Sequence, residues 1–474
     1  MPRPVVRQEW RAVAAPALGA WTPTATVTVV LPAKDCQGEL ELTLAALAEQ
    51  TYPEHLLDVV VVDDGSEVPL ELPPRRPAHC RILRLPPGAG HGSGGARHAG
   101  AQDGVGSGDL LLFLDADMVA TRTHVEAHAR WHHVVADAVV LGRKSFVDFD
   151  GISPGAVQRA VREDTLATVL AGRPQERHVW WENFVRAGHL LTDYTDDTFV
   201  AVVGASVSTT RALYRESGGF SALRLRGIVD TEFGYRIFTA GGVVIPDLES
   251  ESYHQGVRNF STRGDEIKRE RIGLAANHLP IPIFRPVNRG RSWTVPEVHV
   301  LLDAGPGIDP ASVLLSVDSL LASSVSDLRV TVSCPASDPP PRWLLDYFDG
   351  DGRVRFTDAA PSTGFPSPST LVVPAGAVVP VDLVGALRAE QLARQVGLVR
   401  ATVPGLAGAS VELWATRALH RARRHPHPDG IEAAVQDLFG QAWLSGAALG
   451  LRAGVLDVTR QGMLLDRPVQ DATG

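Results

Sequence analysis

Cysteine is scarce. The 474-residue chain holds three, Cys36, Cys80 and Cys334, and no two of them make a Cys-x-x-Cys pair. That argues against a disulfide-framed scaffold and against a cysteine-built zinc site, and it suits a reducing, cytoplasmic setting. Long apolar runs are missing as well. No stretch reaches the roughly 18 apolar residues that a membrane span needs, so none is expected. Residues 1–24 hold arginines, Glu9 and prolines around a short, broken apolar run, which reads as an N-terminal tail and not as a signal peptide. Positive charge is in deficit: the net charge is −9, which speaks against a dedicated nucleic-acid binder. A single phosphate-bearing ligand stays compatible with that balance, because a divalent metal can supply local positive charge.

What is present is hydrophobic residue in quantity, 44% of the chain. Large cores are therefore affordable, and the length suggests two or three domains. Val27–Leu31, Asp58–Val62, Arg81–Leu85 and Asp109–Leu114 read as strands, with a leucine-spaced helix over Glu39–Gln50 between the first two. Strands alternating with helices predict an α/β fold with a mostly parallel, Rossmann-like sheet flanked by helices. In such sheets ligands bind beyond the carboxyl ends of the strands. Gly88–Gly108 is glycine-rich but lacks the Lys-Ser/Thr of a P-loop, and it reads as a loop that orders over a ligand.

A boundary is expected at 286–296, rich in Pro, Gly and Arg, separating a domain over 25–285 from a smaller one over 297–465, with a tail over 466–474. The second domain follows the order of the first. Glu297–Leu302 echoes the first strand, Ser312–Ser324 the first helix, Leu328–Ser333 the second strand and Thr370–Val373 the fourth. Where the first copy has Asp115-Ala116-Asp117 the second has Pro374-Ala375-Gly376, and Ser333-Cys334 stands opposite Asp63-Asp64. The second domain is thus expected to be a degenerate copy without the carboxylates, kept for architecture, for an acceptor, for a partner or for a homodimer contact. Its removal is expected to expose apolar surface and lower solubility.

Carboxylates sit where the strands end. Asp115 and Asp117 follow a buried apolar strand, and two carboxylates there are costly without a counter-charge. A hard cation, Mn²⁺ or Mg²⁺, relieves that cost and can bridge to a diphosphate; an acidic turn or helix cap is the alternative. Asp63-Asp64-Gly65-Ser66 can accept hydrogen bonds from a base and a ribose, or form an ordinary Asp-Gly turn. Between 143 and 200 lies an aromatic-rich segment, with Trp180-Trp181 readable as a sugar platform or as core packing. His128 and His132 are four apart on one helix face, a spacing that suits a metal and equally a packing face.

Taken in order, VTVVLPAKD (27–35), VVVVDDGS (59–66), GGARHAG (94–100), DLLLFLDADM (109–118), VVGASVSTTRALYRESGGF (202–220) and DTEFGYRIFTAGG (230–242) resemble the inverting family-2 glycosyltransferases of GT-A fold. The resemblance covers roughly 25–260. It implies a nucleotide-sugar donor, with a UDP-sugar first and dTDP or GDP open, a carbohydrate or other hydroxyl-bearing acceptor, and a divalent metal. By that resemblance Pro32, Ala33, Asp63 and Asp64 frame the base and ribose. Arg97 faces the donor nucleotide or its phosphates, and Asp115 and Ala116 line the donor site. Asp117 and His254 hold the metal, and Asp230 is the general base. Trp181, Gly204, Ala205 and Glu232 fall on the acceptor side. Two departures from the family pattern stand out: Val229 where relatives carry Glu before the base, and Lys34-Asp35 where they carry Tyr-Asn. A non-catalytic nucleotide-binding scaffold and a nucleotidyltransferase are the competing readings. The latter would place a glycine-rich loop directly after the first strand, where PAKDCQGEL stands instead.

Overall fold

The computed structural model describes residues 2–86, 92–103, 108–193, 195–221, 223, 227–256, 260–285, 290–359 and 361–456, with the backbone alone at 260–264 and 267. Residues 88–91 and 104–107 of the segment expected as a ligand-ordering loop, all of the 466–474 segment, Tyr194, and part of the expected linker lie outside them; the middle of that loop segment, Gly92–Gln102, is a helix instead. The chain divides into two compact units, Met1–Leu279 and Pro280–Gly474.

The first unit is built on strands β1 (Val27–Ala33), β2 (Leu57–Asp63), β3 (Cys80–Arg84), β4 (Leu110–Leu114), β5 (Met118–Ala120), β6 (Ala138–Val147), β7 (Gln175–Arg177), β8 (Ser206–Thr210) and β9 (Val243–Gln255). Its helices are α1 (Gln37–Leu47), α2 (Gly92–Gln102), α3 (His124–Val134), α4 (Pro154–Arg162), α5 (Leu166–Leu170), α6 (Val179–Ala187), α7 (Arg211–Glu216), α8 (Val229–Thr239) and α9 (Phe260–His278). The sheet order is β3-β2-β1-β4-β8-β6-β9-β5, with β7 paired to β6. β1 runs parallel to β2 and β4, and β2 parallel to β3; β8 enters antiparallel and β6 turns back beside it, parallel to β9. This is the expected α/β architecture, a sheet flanked by helices. The strands β1, β2 and β4 are buried almost throughout, as continuous Val/Leu runs require when helices cover both faces. Val29, Leu31, Val59, Val61 and Leu112 pack with Leu40 and Leu44 of α1 on one side. On the other, α2 lies against β1 so closely that a Cβ on Gly100 would come within 2.5 Å of Val30.

Residues 2–24, expected as a tail, are instead part of the fold where they meet α3 and β9. Val5 and Trp10 are buried against Trp131, and Gln8 donates to the Val244 carbonyl at 2.6 Å. Apolar residues dispersed among prolines and arginines leave no periodic signal, so this packing is invisible until the sheet surface is there to receive it.

The second unit carries β10 (Val298–Asp303), β11 (Leu328–Ser333), β12 (Val354–Thr357), β13 (Ser369–Pro374), β14 (Ala377–Val378), β15 (Leu398–Thr402), β16 (Ser410–Ala415), β17 (Gln441–Leu444) and β18 (Arg452–Ala453). Between them run α10 (Pro310–Leu321), α11 (Arg342–Phe348), α12 (Leu383–Arg394), α13 (Thr416–Arg424) and α14 (Ile431–Phe439). Its main sheet has the order β12-β11-β10-β13-β16-β15-β17. Strand for strand this repeats β3-β2-β1-β4-β8-β6-β9, with the same sequence of parallel and antiparallel pairs. Among the described residues no helix is long and apolar enough to cross a membrane.

Candidate active site

The ends of β1, β2, β4, β6 and β9 open to one edge of the first sheet, and the carboxylates converge there. β4 ends at Leu114, so Asp115 and Asp117 stand in the turn before β5. β8 runs the other way, which brings Gly204-Ala205 to the same edge; the Asp115 amide donates to the Ala205 carbonyl at 3.2 Å. β5 pairs with the end of β9, setting Met118 opposite His254.

Arg97 ties the site together. Its guanidinium donates to Asp115 Oδ1 at 2.5 Å and to Asp230 Oδ1 at 3.1 Å, and it is 3% exposed. Glycines bring it there: a Cβ on Gly94 would fall 2.6 Å from Val229, the neighbour of Asp230, so α2 and α8 touch at that point. Burial raises the Asp115 carboxyl, but the charges of Arg97, Lys144 and His254 and the Arg97 hydrogen bond together hold the group below its ordinary value. Arg97 was expected to face the donor; instead both of its donor branches are committed to carboxylates, and it acts as a bridge.

Asp230 lies in the first turn of α8, where the helix dipole favours a negative charge. Its carboxylate is about a third exposed, with Oδ1 on Arg97. Gly204 is pressed against both: a Cβ there would lie 2.4 Å from Asp230 Oδ1 and 2.7 Å from Arg97 Cζ.

Asp117 and His254 stand together as the candidate cation pocket. His254 Nδ1 is 2.9 Å from the Gln255 carbonyl, which points Nε2 toward Asp117. That nitrogen stands 3.2 Å from Asp117 Oδ2. Asp117 Oδ1 is buried with no hydrogen-bond partner among the described residues. Burial raises the Asp117 carboxyl above its ordinary range, offset in part by His254. Among the described residues no group of three His, Cys, Asp or Glu side chains could hold a metal alone. The pair fits Mn²⁺ or Mg²⁺, which commonly take one or two protein ligands and complete their shell with water and substrate phosphate.

The acidic pair after β2 divides its work. Asp63 accepts from the Ser66 and Leu70 amides at 2.9 and 3.1 Å, so it shapes the following loop. Asp64 Oδ1 is buried without a partner among the described residues. The Ala33 carbonyl receives the Asp64 amide at 2.9 Å, and Pro32 is half-buried beside it. Ala116 is buried and its carbonyl accepts from Thr43 at 2.8 Å, a structural task.

Two acceptor-side expectations are corrected. Trp181 is buried and its indole donates to the Ala201 carbonyl at 2.9 Å, so it packs the core; its neighbour Trp180 is the exposed one. Glu232 is held by Arg236, at 2.5 and 2.8 Å, and by Ser221 at 2.8 Å, which leaves it no free oxygen for an acceptor. His128 and His132 are buried against serines of β8 and belong to the core.

The sequence reading missed Lys144 and Phe146 on β6. Phe146 packs its ring 4.9 Å from His254 and 5.8 Å from His178, which in turn meets Trp180 at 5.1 Å, forming an aromatic path away from the cation pocket. Lys144 is half-buried; burial lowers its pKa, opposed by Asp115, Asp230 and Asp117. The available signal was Gly-Arg-Lys interrupting the apolar run of β6.

Residues 28–174 match the family described as Glycosyl transferase family 2. The first unit thus carries a family-2 glycosyltransferase domain, and the protein is a glycosyltransferase. Among solved structures, one similar chain is the mannosyltransferase PcManGT from Pyrobaculum calidifontis, in complex with GDP-Man and Mn²⁺ (17% identity, TM-score 0.36, 60% of this chain and 70% of that one). Another is S. aureus TarS (16% identity, TM-score 0.33), of which 41% is covered by 54% of this chain. No curated protein matches.

Proposed function

We propose that the first unit transfers a sugar from a nucleotide-diphosphate sugar, with UDP-sugars the first candidates, to a hydroxyl of a glycan or other acceptor by a single inverting displacement. The carrying observation is the Asp117–His254 pair with its orphaned carboxylate oxygen, standing at the same sheet edge as Asp230. Asp64 receives the nucleotide. Asp230, its second oxygen free of Arg97, takes the proton of the acceptor hydroxyl. The acceptor oxygen then bonds the anomeric carbon as the bond to the diphosphate breaks, and the electron pair leaves on the phosphate oxygen. Asp117 and His254 would hold a divalent metal, which would supply stabilisation of that growing charge. Trp180, not Trp181, offers its face to the acceptor. The second unit, read as a degenerate copy, binds no donor.

The test is titration calorimetry of nucleoside diphosphates with and without Mn²⁺, on the wild type and on Asp117→Ala. Metal-dependent binding of one nucleotide, lost in the variant, is the expected result; no nucleotide binding by folded wild type ends the reading. With the donor known, Asp230→Asn is expected to lower kcat by about 10²- to 10⁴-fold, and the anomeric configuration of the product by NMR decides inversion. Trp180→Ala is expected to raise acceptor KM by about two- to tenfold with donor KM unchanged.

A further inference from the structure

Two cations face the three site aspartates, and they are not equivalent. Arg97 is sealed at 3% exposure with both branches on Asp115 and Asp230, so no ligand can claim it without undoing that bridge. Lys144 is the half-buried one. It sits on β6 opposite Ser252 of β9, two residues before Phe146, which is opposite His254. Strand alternation puts Lys144 and Phe146 on one sheet face. The Lys144 ammonium stands 5.5 Å from the Phe146 ring, and that ring touches His254, so Lys144 borders the cation pocket. Asp115, Asp230 and Asp117 all act on its charge. Among the described residues its half-buried ammonium makes no hydrogen bond, so its donors remain available to a ligand.

We propose that Lys144 is the protein cation that grips the donor's diphosphate, donating hydrogen bonds to the oxygens of the leaving phosphate beside the metal held by Asp117 and His254. This rests on the nucleotide-sugar reading given above. As the bond from the anomeric carbon to the phosphate oxygen breaks and its electron pair stays on that oxygen, the ammonium strengthens its hydrogen bond there and keeps its own protons. The acceptor proton goes to Asp230. Three carboxylates in one pocket would repel an anionic donor. Arg97 offsets part of that repulsion from behind, and Lys144 does so from the ligand's side.

The experiment compares the full-length wild type with Lys144→Gln and Lys144→Arg in calorimetric titrations with the nucleoside diphosphate that the wild type binds and with its nucleoside, with Mn²⁺ and with EDTA. Loss of one charged hydrogen bond predicts that K144Q weakens diphosphate binding about tenfold to a hundredfold. Nucleoside binding should stay unchanged, and K144R should recover most of the loss. Equal diphosphate affinity in K144Q and wild type overturns the assignment, as does an equal loss for diphosphate and nucleoside, which would mark a role in pocket shape. A wild type that binds no nucleotide overturns the transferase reading itself, so the two failures are distinguishable. A measurement independent of any variant is reductive methylation of the wild type, read by mass spectrometry. The diphosphate should protect Lys144 and the nucleoside should not; equal labelling in both overturns the proposal.

Discussion

Arg97, Asp115, Asp230 and Gly204 form one unit in which each member constrains the others. The guanidinium fork fixes Asp230 from one side, and the missing side chain of Gly204 leaves room for both partners. Gly204→Ala has nowhere to put its methyl group except into the Asp230 oxygen. Shifting a catalytic carboxylate by about 1 Å can cost on the order of 10²-fold in rate. Gly204→Ala is therefore expected to lower kcat by about that factor while leaving the far-ultraviolet circular dichroism intact; unimpaired turnover would show that the contact yields cheaply. The cysteines carry none of the chemistry: all three are free, and burial pushes Cys36 up to about 11 and Cys80 up to about 12. Alkylating agents at neutral pH are expected to react with them slowly.

Helix α3 shows how an element can hide a pH dependence. His124, His128 and His132 repeat every four residues along one face and are buried against β8 and β9. Ser206 and Ser208 bridge them at 2.8 to 3.1 Å, and His124 also meets the Glu251 carbonyl. Burial depresses all three, to about 4 for His124, well below the ordinary value for His128 and to about 3 for His132. The native state therefore keeps them neutral where the unfolded chain, with an ordinary histidine pKa near 6.5, takes up protons. Their contribution is intact above about pH 6.5 and is lost as pH falls below it, at up to about 1.4 kcal/mol per pH unit for each histidine. Urea unfolding midpoints should drop steeply from pH 6.5 to 5; a flat profile over that range would contradict the buried, neutral assignment. The four-residue spacing was visible in the sequence, but spacing alone cannot separate a metal face from a packed one. What separates them is the row of serines that β8 places opposite.

At the scale of the molecule, the two sheets can be compared by register. Val27 pairs with Leu57 and Leu110, and Val298 pairs with Leu328 and Ser369. Counted from those anchors, Asp115 and Asp117 correspond to Pro374 and Gly376, as the sequence comparison had it. Asp63 and Asp64 correspond to Cys334 and Pro335, one residue beyond the expected Ser333-Cys334. The shift follows from aligning paired strands in place of similar letters. Since the second unit lacks a carboxylate at each of these positions, metal-dependent nucleotide binding is expected at one site per chain. A calorimetric stoichiometry near two, or one that persists in Asp117→Ala, would place a working site in the second unit. The two-ligand pocket predicts a further whole-molecule property: Mn²⁺ and the nucleoside diphosphate should each tighten the other by the same factor, since thermodynamic linkage is reciprocal. Equal Mn²⁺ affinity with and without nucleotide would show that the protein supplies a complete shell.

Apolar runs ending in Asp, Gly or Pro were enough to place β1, β2, β4, β10, β11 and β13, because a strand buried on both faces must be continuously apolar and must stop where it meets solvent or a ligand. For the same reason Asp63, Asp64, Asp115 and Asp117 stood out as candidates, since charge at the end of a buried strand has few uses, whereas Asp230 and His254 were singled out only through the family resemblance. Other assignments depended on which partner each side chain meets. Arg97 could be a phosphate ligand or a bridge, and the approach of α2 to α8 made it a bridge. Trp181 and Glu232 were drawn inward by Ala201 and Arg236, while Trp180 was left outside. Lys144 gained meaning only when β6 was laid beside β9, across a sheet whose order no local pattern encodes. Local sequence determines which segments must be buried and where they stop. The pairing of distant strands, which depends on the whole packed core, decides which charges meet.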